Sequence, residues 1–281
     1  MRNRFTGAMV AATIAAATAV VSLSVTPIFG QAGRAGGAQA KPQPRPARIG
    51  KAPNINGIYQ AINTANWNLE DHPAEGISQF WQLGAIAAIP AGMSVIEGGT
   101  IPYKPEALKV REENRKGWPK TDPEAKCYMP GIPRANYMPY PFQIIQGNRD
   151  ILFVYEFASS NRIVHMSNHT ESPVDSWMGW ANGKWNGDTL EIHNSGFNEH
   201  SWFDRAGNHH SNQLVVQERF TPRGDNLWYE AEMTDPETFT RPWRISMYLY
   251  RKLEPNAQLL EFKCVEFSEE LLYGDLKKKT E

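Results

Sequence analysis

The sequence carries no surplus charge of either sign: 29 basic residues face 30 acidic ones. Binding to nucleic acid or another polyanion needs clustered, uncompensated Lys and Arg, so no nucleic-acid partner is expected. The single basic run, Lys277-Lys278-Lys279, reads as a solvated tail. Cysteine is nearly absent, with only Cys127 and Cys264. No Cys-x-x-Cys-His is present for haem attachment, and no Gly-x-Ser-x-Gly elbow for a serine nucleophile. Beyond the first 25 residues no apolar run reaches membrane-spanning length, so no integral span is expected in the mature chain. No internal repeat is visible.

What is present begins with an address. Met1-Arg2-Asn3-Arg4 is a short basic region, Ala8 to Val25 is apolar and free of charge, and small residues follow around Phe29 to Ala32. This is the layout of a secretory signal peptide over residues 1–32, with a retained signal anchor as the alternative. There is no Arg-Arg pair and no nearby Cys, which favours the general secretory route over twin-arginine or lipoprotein export. Residues 33–52 are rich in Gly, Ala, Pro and Gln. Such a stretch buries too little apolar surface to offset its ordering entropy, so a flexible leader is expected. Residues 53–281 then read as one β-rich domain, periplasmic or secreted. In that oxidising setting Cys127 and Cys264 can form a disulfide; two buried thiols are the alternative.

Aromatic residues are plentiful, with 9 Trp, 10 Tyr and 12 Phe. They suit a core, and equally a pocket for a flat or apolar ligand. From Phe142 onward the chain alternates strands with tight turns. Phe142 to Gln146, Ile151 to Phe157, Asn161 to Ser167, Trp180 to Trp185, Thr189 to His193, Leu214 to Phe220, Leu227 to Met233, Trp243 to Arg251 and Leu259 to Val265 are the candidate strands. Asn186-Gly187 is the clearest hairpin turn, because both residues tolerate positive φ. Before them, Asn54 to Ala61 reads as a strand, Ile77 to Ile89 and Pro105 to Lys116 as short helices, and the prolines from Pro130 to Pro141 as an extended segment. Leu214, Val216, Glu218 and Phe220 share one side, as do Leu227, Tyr229, Ala231 and Met233, which implies one buried face. A meander of about nine strands hides its edges by closing on itself. The expectation is a mostly β, antiparallel up-and-down barrel of lipocalin-like (calycin) type. A β-sandwich is the alternative.

Several long stretches carry a resemblance. They are Asp175-Ser-Trp-Met-Gly-Trp-Ala-Asn-Gly-Lys-Trp-Asn-Gly-Asp-Thr-Leu190, Asn194-Ser-Gly-Phe-Asn198 and Trp202-Phe-Asp-Arg-Ala-Gly207. Upstream, Asn63-Thr-Ala-Asn-Trp67 and Cys127-Tyr-Met-Pro-Gly-Ile-Pro-Arg134 fit the same pattern, as do Asp235-Pro236 and Arg241-Pro-Trp243 downstream. Over residues 53–275 the chain resembles a group of hypothetical secreted proteins of soil and aquatic bacteria, Acidobacteria prominent among them. The resemblance implies export and a β-rich body and brings no reaction with it.

The densest polar segment, Asn198 to Ser211, holds Glu199, His200, Asp204, Arg205, His209 and His210. Loops at a barrel mouth are where such scaffolds place chemistry. In an acid–base reading, His200 or His210 is the base, Asp204 orients it, and Arg205 stabilises a developing anion, as in a lyase, isomerase or hydratase. In a metal reading His200, Asp204 and one of His209 or His210 hold a divalent ion such as zinc, though the spacing matches no standard signature; otherwise no cofactor is expected. In a structural reading Asp204 caps a turn completed by Gly207, and Arg205 pairs with Asp204 or Glu199. Asp175, Trp177, Trp202 and Glu218 are candidate ligand-binding residues, with Trp177 stacking on the ligand and Trp180 and Trp185 plugging the barrel. Glu218 shares its strand's apolar face and needs a partner, Arg162 or Arg244. Three functions compete. A small-molecule carrier needs an aromatic-lined cavity, an enzyme needs the polar loop residues around one cavity, and a protein-binding envelope component needs a broad exposed apolar patch.

Overall fold

The computed structural model describes residues 47–77, 88–147, 149–266 and 268. The signal peptide, most of the leader and most of the helix expected over Ile77 to Ile89 lie outside these residues; the last two residues of that expected helix, Ala88–Ile89, are a strand. The described chain falls in one compact unit, Pro46–Glu281.

Nine strands close into a single barrel, so the sandwich alternative is not needed. In chain order the elements are β1 Arg48–Ile49, β2 Ala52–Pro53, β3 Gly57–Ala61, β4 Glu75–Gly76, β5 Ala88–Ile89, helix α1 Pro105–Gly117, β6 Phe142–Gln146, β7 Asp150–Tyr155, β8 Asn161–His165, β9 Trp180–Asn186, β10 Thr189–Ser195, β11 Val215–Arg223, β12 Asn226–Thr234 and β13 Trp243–Arg251. The barrel runs β3-β6-β7-β8-β9-β10-β11-β12-β13 and back to β3, in sequence order. The pairs β1–β2 and β4–β5 are small separate two-stranded sheets.

One feature departs from a pure up-and-down meander. A closed ring of alternating strand directions needs an even number of strands, and this ring has nine. One adjacent pair must therefore be parallel, and it is β8–β9, with Val164 opposite Ala181. Its connection, residues 166–179, crosses the height of the barrel; every other pair is antiparallel. The tight turns fall at one end: Gly187-Asp188 between β9 and β10, and Gly224-Asp225 between β11 and β12. Gly187 takes φ +58°, so the two-residue loop begins one position later than the Asn-Gly dipeptide suggested. The described parts of the long connections, residues 62–77, 88–141, 196–214 and 235–242, fall at the other end and cap it.

Three local expectations change. Residues 48–53, at the end of the expected flexible leader, form the β1–β2 hairpin. Residues 252–266 contain no strand, so Leu259 to Val265 is not a tenth one. Pro130 to Pro141 is not simply extended: a 3-10 turn over Arg134–Asn136 drives buried side chains into the barrel mouth.

The barrel axis is filled. Glu218 meets Arg162 at 2.6 Å and 3.2 Å, and the Asn194 amide donates to Glu218 at 2.7 Å. Asn136, from the plugging turn, donates to Glu218 at 2.7 Å and to the Tyr229 hydroxyl at 3.0 Å, and accepts from the Tyr155 hydroxyl at 2.9 Å. Arg162 also lies 4.5 Å over the Phe153 ring. Each member of this network is almost fully buried. A buried carboxylate is tolerable only with such pairing. Of the two partners expected for Glu218, Arg162 is the one; Arg244 bonds Glu232 at 2.8 Å, away from this network. Trp185 packs against the core as expected of a plug, whereas Trp180 stacks on His165 with centroids 4.4 Å apart.

Candidate functional site

The capped end is built by three segments that the chain brings in from far apart: Ala65 to His72, Trp118 to Arg134, and Trp202 to His209. Arg134 is the first anchor. Its guanidinium forks onto Asp122 at 3.1 Å and 3.3 Å, its Nε donates to Asn66 Oδ1 at 3.0 Å, and its Nη2 also meets Glu124. Glu124 turns its carboxylate to Arg205, which donates from Nε at 2.9 Å and from Nη2 at 2.8 Å. Two guanidinium groups and two carboxylates thus form a neutral buried array, with the fork-to-fork geometry that makes such pairs strong. Burial pushes the Glu124 carboxyl up, but Arg205 and Arg134 outweigh it and bring it down to about 2.

Arg205 is held from both sides. Its N–H donates to the Asn66 carbonyl at 2.9 Å. Its guanidinium lies 4.4 Å over the Trp67 ring and 5.9 Å from Trp118. Behind it, Asp204 accepts the N–H of Ala206 at 2.9 Å, that of Leu69 at 2.9 Å and the amide of Asn208 at 2.6 Å. The capped turn expected at Asp204 to Asn208 is therefore present, but Arg205 pairs with Glu124 and not with its sequence neighbours. Burial raises the Asp204 carboxyl to about 6, against the pull of the Asn208 and Leu69 hydrogen bonds.

The other candidate residues face elsewhere. His200 is exposed, its ring 5.8 Å from Trp177, which stacks on Tyr128 at 5.0 Å. His209 fastens the loop to α1: its Nε2 donates to the Ala107 carbonyl at 2.9 Å, and its ring stacks on Tyr103. His210 is buried, its Nδ1 donating to the Ser211 carbonyl at 2.8 Å. Its Nε2 is then an acceptor, 2.8 Å from the Ser201 hydroxyl. Burial lowers this imidazole to about 4, so it is neutral at physiological pH. Asp175 is exposed, Trp202 is buried against the loop's own His209 bridge, and Glu218 belongs to the barrel axis. The suggested metal set of His200, Asp204 and one of His209 or His210 is not assembled. Among the described residues no group of three His, Cys, Asp or Glu side chains could hold a metal ion.

Of the proposed catalytic residues, Arg205 borders a sizeable cavity. A cleft of about 520 Å³ lies between the Trp67 to Ile77 segment, α1 and the Arg205-Ala206 turn. Its walls include Trp67, Trp118, Arg111, Arg115 and Lys116. Arg111 is paired with Glu70 at 2.9 Å and Arg115 with Glu75 at 3.2 Å. Sequence reasoning had no reason to single out Asp122 and Glu124, which lie in an irregular Pro-rich stretch. Asn66, Trp67 and Arg134 belonged to quoted motifs whose joint role only the fold reveals. Cys127 and Cys264 are joined by a disulfide. No helix among the described residues is long and apolar enough to cross a membrane.

Compared with known proteins, the chain matches no family model, no curated protein and no solved structure.

Proposed function

We propose that this is an exported small-molecule-binding protein whose ligand is flat and aromatic. The ligand sits in the cleft at the capped end and not along the barrel axis, which side chains already fill. One observation carries this reading: Trp67 and Trp118 wall a cleft of about 520 Å³ around an Arg205 guanidinium clamped by Glu124. Two indoles offer large apolar faces, and a cation fixed in advance adds a polar contact at little ordering cost. The signal-peptide layout and the disulfide support export. The acid–base alternative draws less support, because His200, Asp204 and His210 each meet surroundings other than the cleft.

The test is a thermal-shift screen of the mature protein with flat aromatic acids, phenols and aliphatic controls. A true ligand at a hundredfold excess over its Kd stabilises by about 2.7 kcal/mol, a rise of roughly 5–10 °C for a body of this size. Aromatic compounds should give that rise in the native protein and lose it in Trp67→Ala and Arg205→Met. A rise that survives both substitutions would place the site elsewhere. Mass spectrometry of periplasmic material should find an N-terminus near residue 33; an intact Met1 would overturn cleavage.

A further inference from the structure

Residues 252–266 leave β13 without forming a helix or strand. Three contacts hold this strap to the capped end. The Leu260 N–H donates to the Glu156 carboxylate at 2.9 Å. Phe262 packs against Tyr140 and Phe157, its ring centroid 5.0 Å from each. Cys264 is bonded to Cys127. The strap forms one wall of a cavity of about 210 Å³ whose other walls include Trp118, Glu124 and Arg205. Trp118 and Arg205 also line the larger cleft. One indole and one guanidinium therefore stand between two neighbouring clefts, and the strap lines the smaller one.

The disulfide is placed to govern that partition. The Cys127 N–H donates to the Glu124 backbone carbonyl at 3.0 Å, so the bond is anchored one turn from the carboxylate that grips Arg205. Cys127 sits at φ +63°, a left-handed conformation that residues with a Cβ seldom adopt unless held there. Both cysteines are only partly buried, so a small thiol can reach the bond. Neither cysteine belongs to a barrel strand, and among the described residues the strap's one backbone hydrogen bond to the ring is from the Lys252 N–H to the Ile58 carbonyl, at 2.8 Å. Segments with so few contacts open at lower free energy than the core.

We infer that the Cys127–Cys264 disulfide is a redox latch on the ligand cleft, an inference that rests on the cleft being the ligand site. A dithiol reductant opens it. One reductant thiolate attacks a protein sulfur, and the other protein sulfur leaves and takes a proton. The reductant's second thiol then displaces the mixed disulfide. The protein gains two electrons and two protons, and the reductant departs as a disulfide. With the bond open, the Phe262 packing, the Leu260–Glu156 bond and the Lys252 N–H on the Ile58 carbonyl are left to hold the strap, the turn carrying Glu124 relaxes, and the smaller cleft widens beside Arg205.

Hydrogen–deuterium exchange of the mature protein tests this in three forms: oxidised, dithiothreitol-treated, and the Cys127→Ser/Cys264→Ser double variant. Amides of residues 252–266 and 120–128 should exchange about tenfold faster in both opened forms, with the barrel strands unchanged. The dissociation rate of 8-anilinonaphthalene-1-sulfonate, an aromatic anion, should rise with them. Unaltered strap exchange would overturn the latch, and so would equal acceleration in the barrel strands, which would make the bond a general cross-link. Phe262→Ala in the oxidised protein should leave strap exchange within about twofold; full opening by that substitution alone would also overturn it. Strap opening on reduction with no probe bound in either state would support the latch and fail the ligand reading. A bound probe with an unmoved strap would fail the latch alone.

Discussion

At Gly207 the chain takes φ +84° and passes so close to α1 that a Cβ would lie 2.7 Å from the Arg111 carbonyl oxygen and 2.8 Å from the Arg115 nitrogen. Both neighbours are helix backbone, so neither can step aside as a flexible side chain would. This contact seats the loop on the helix and sets where Arg205 meets the cleft. Gly207→Ala should therefore cost more than the roughly 1–2 kcal/mol of a left-handed alanine, about 3 kcal/mol in all. Gly187 is the control: it has φ +58° with nothing near its missing Cβ, so Gly187→Ala should show the conformational cost alone. Urea unfolding of the two variants checks the difference, and equal losses would mean that the helix contact contributes nothing. The turn at Asp204 to Gly207 is legible in the sequence, because Asp and Gly carry local signals for one. The partnership of Arg205 with Glu124 is not. That pair spans 81 positions, and nothing in either local sequence announces the other.

The strands were legible and their closure only partly so. Phe142–Gln146 and Trp243–Arg251 have the bounds that alternation assigned them, because inward and outward positions alternate with period two. Helix α1 was visible from Pro105 at its start and its polar, helix-forming run. The parallel β8–β9 pair was not visible, since it follows from the parity of a closed nine-strand ring and not from any local pattern. Leu259 to Val265 looked like a strand because it alternates, but no barrel edge remains for it to join. The plug over Arg134–Asn136 was hidden for a similar reason: its role depends on Glu218, far along the chain. Asn136 bonds Glu218, Tyr155 and Tyr229 together, so Asn136→Leu takes the acceptor from the buried Tyr155 hydroxyl and one donor from Glu218, which keeps Arg162, Asn194 and Tyr229. It should cost about 2–3 kcal/mol and speed amide exchange over residues 130–138 more than in the strands. A loss below about 0.5 kcal/mol, the level of an ordinary surface change, would contradict the plug's role.

At the scale of the whole fold, three buried groups among the described residues bear on the response to pH, and two of them oppose each other. Asp204 is raised from 3.8 to about 6, so the folded state holds its proton where the unfolded chain has lost it. Its contribution is fully present below pH 3.8 and is lost as pH rises through 6. His210 is lowered from 6.5 to about 4, so the unfolded chain gains a proton that the folded state refuses. Its contribution is present above pH 6.5 and is lost as pH falls through 4. Each shift corresponds to about 3 kcal/mol, so between pH 4 and 6 the two slopes nearly cancel. Glu124, lowered from 4.5 to about 2, adds stability above pH 4.5 that disappears as pH falls toward 2. Native stability should therefore be almost flat from pH 4 to 6 and fall steeply below 4. Asp204→Asn leaves the histidine unopposed, so its stability relative to the native protein should improve as pH rises from 4 to 6. His210→Gln leaves the carboxyl unopposed, so its relative stability should worsen over the same window. Denaturant midpoints at pH 4, 5 and 6 decide the matter. Relative slopes of the same sign in both variants would show that these side chains do not balance each other, and that the capped end is not as dry as their burial implies.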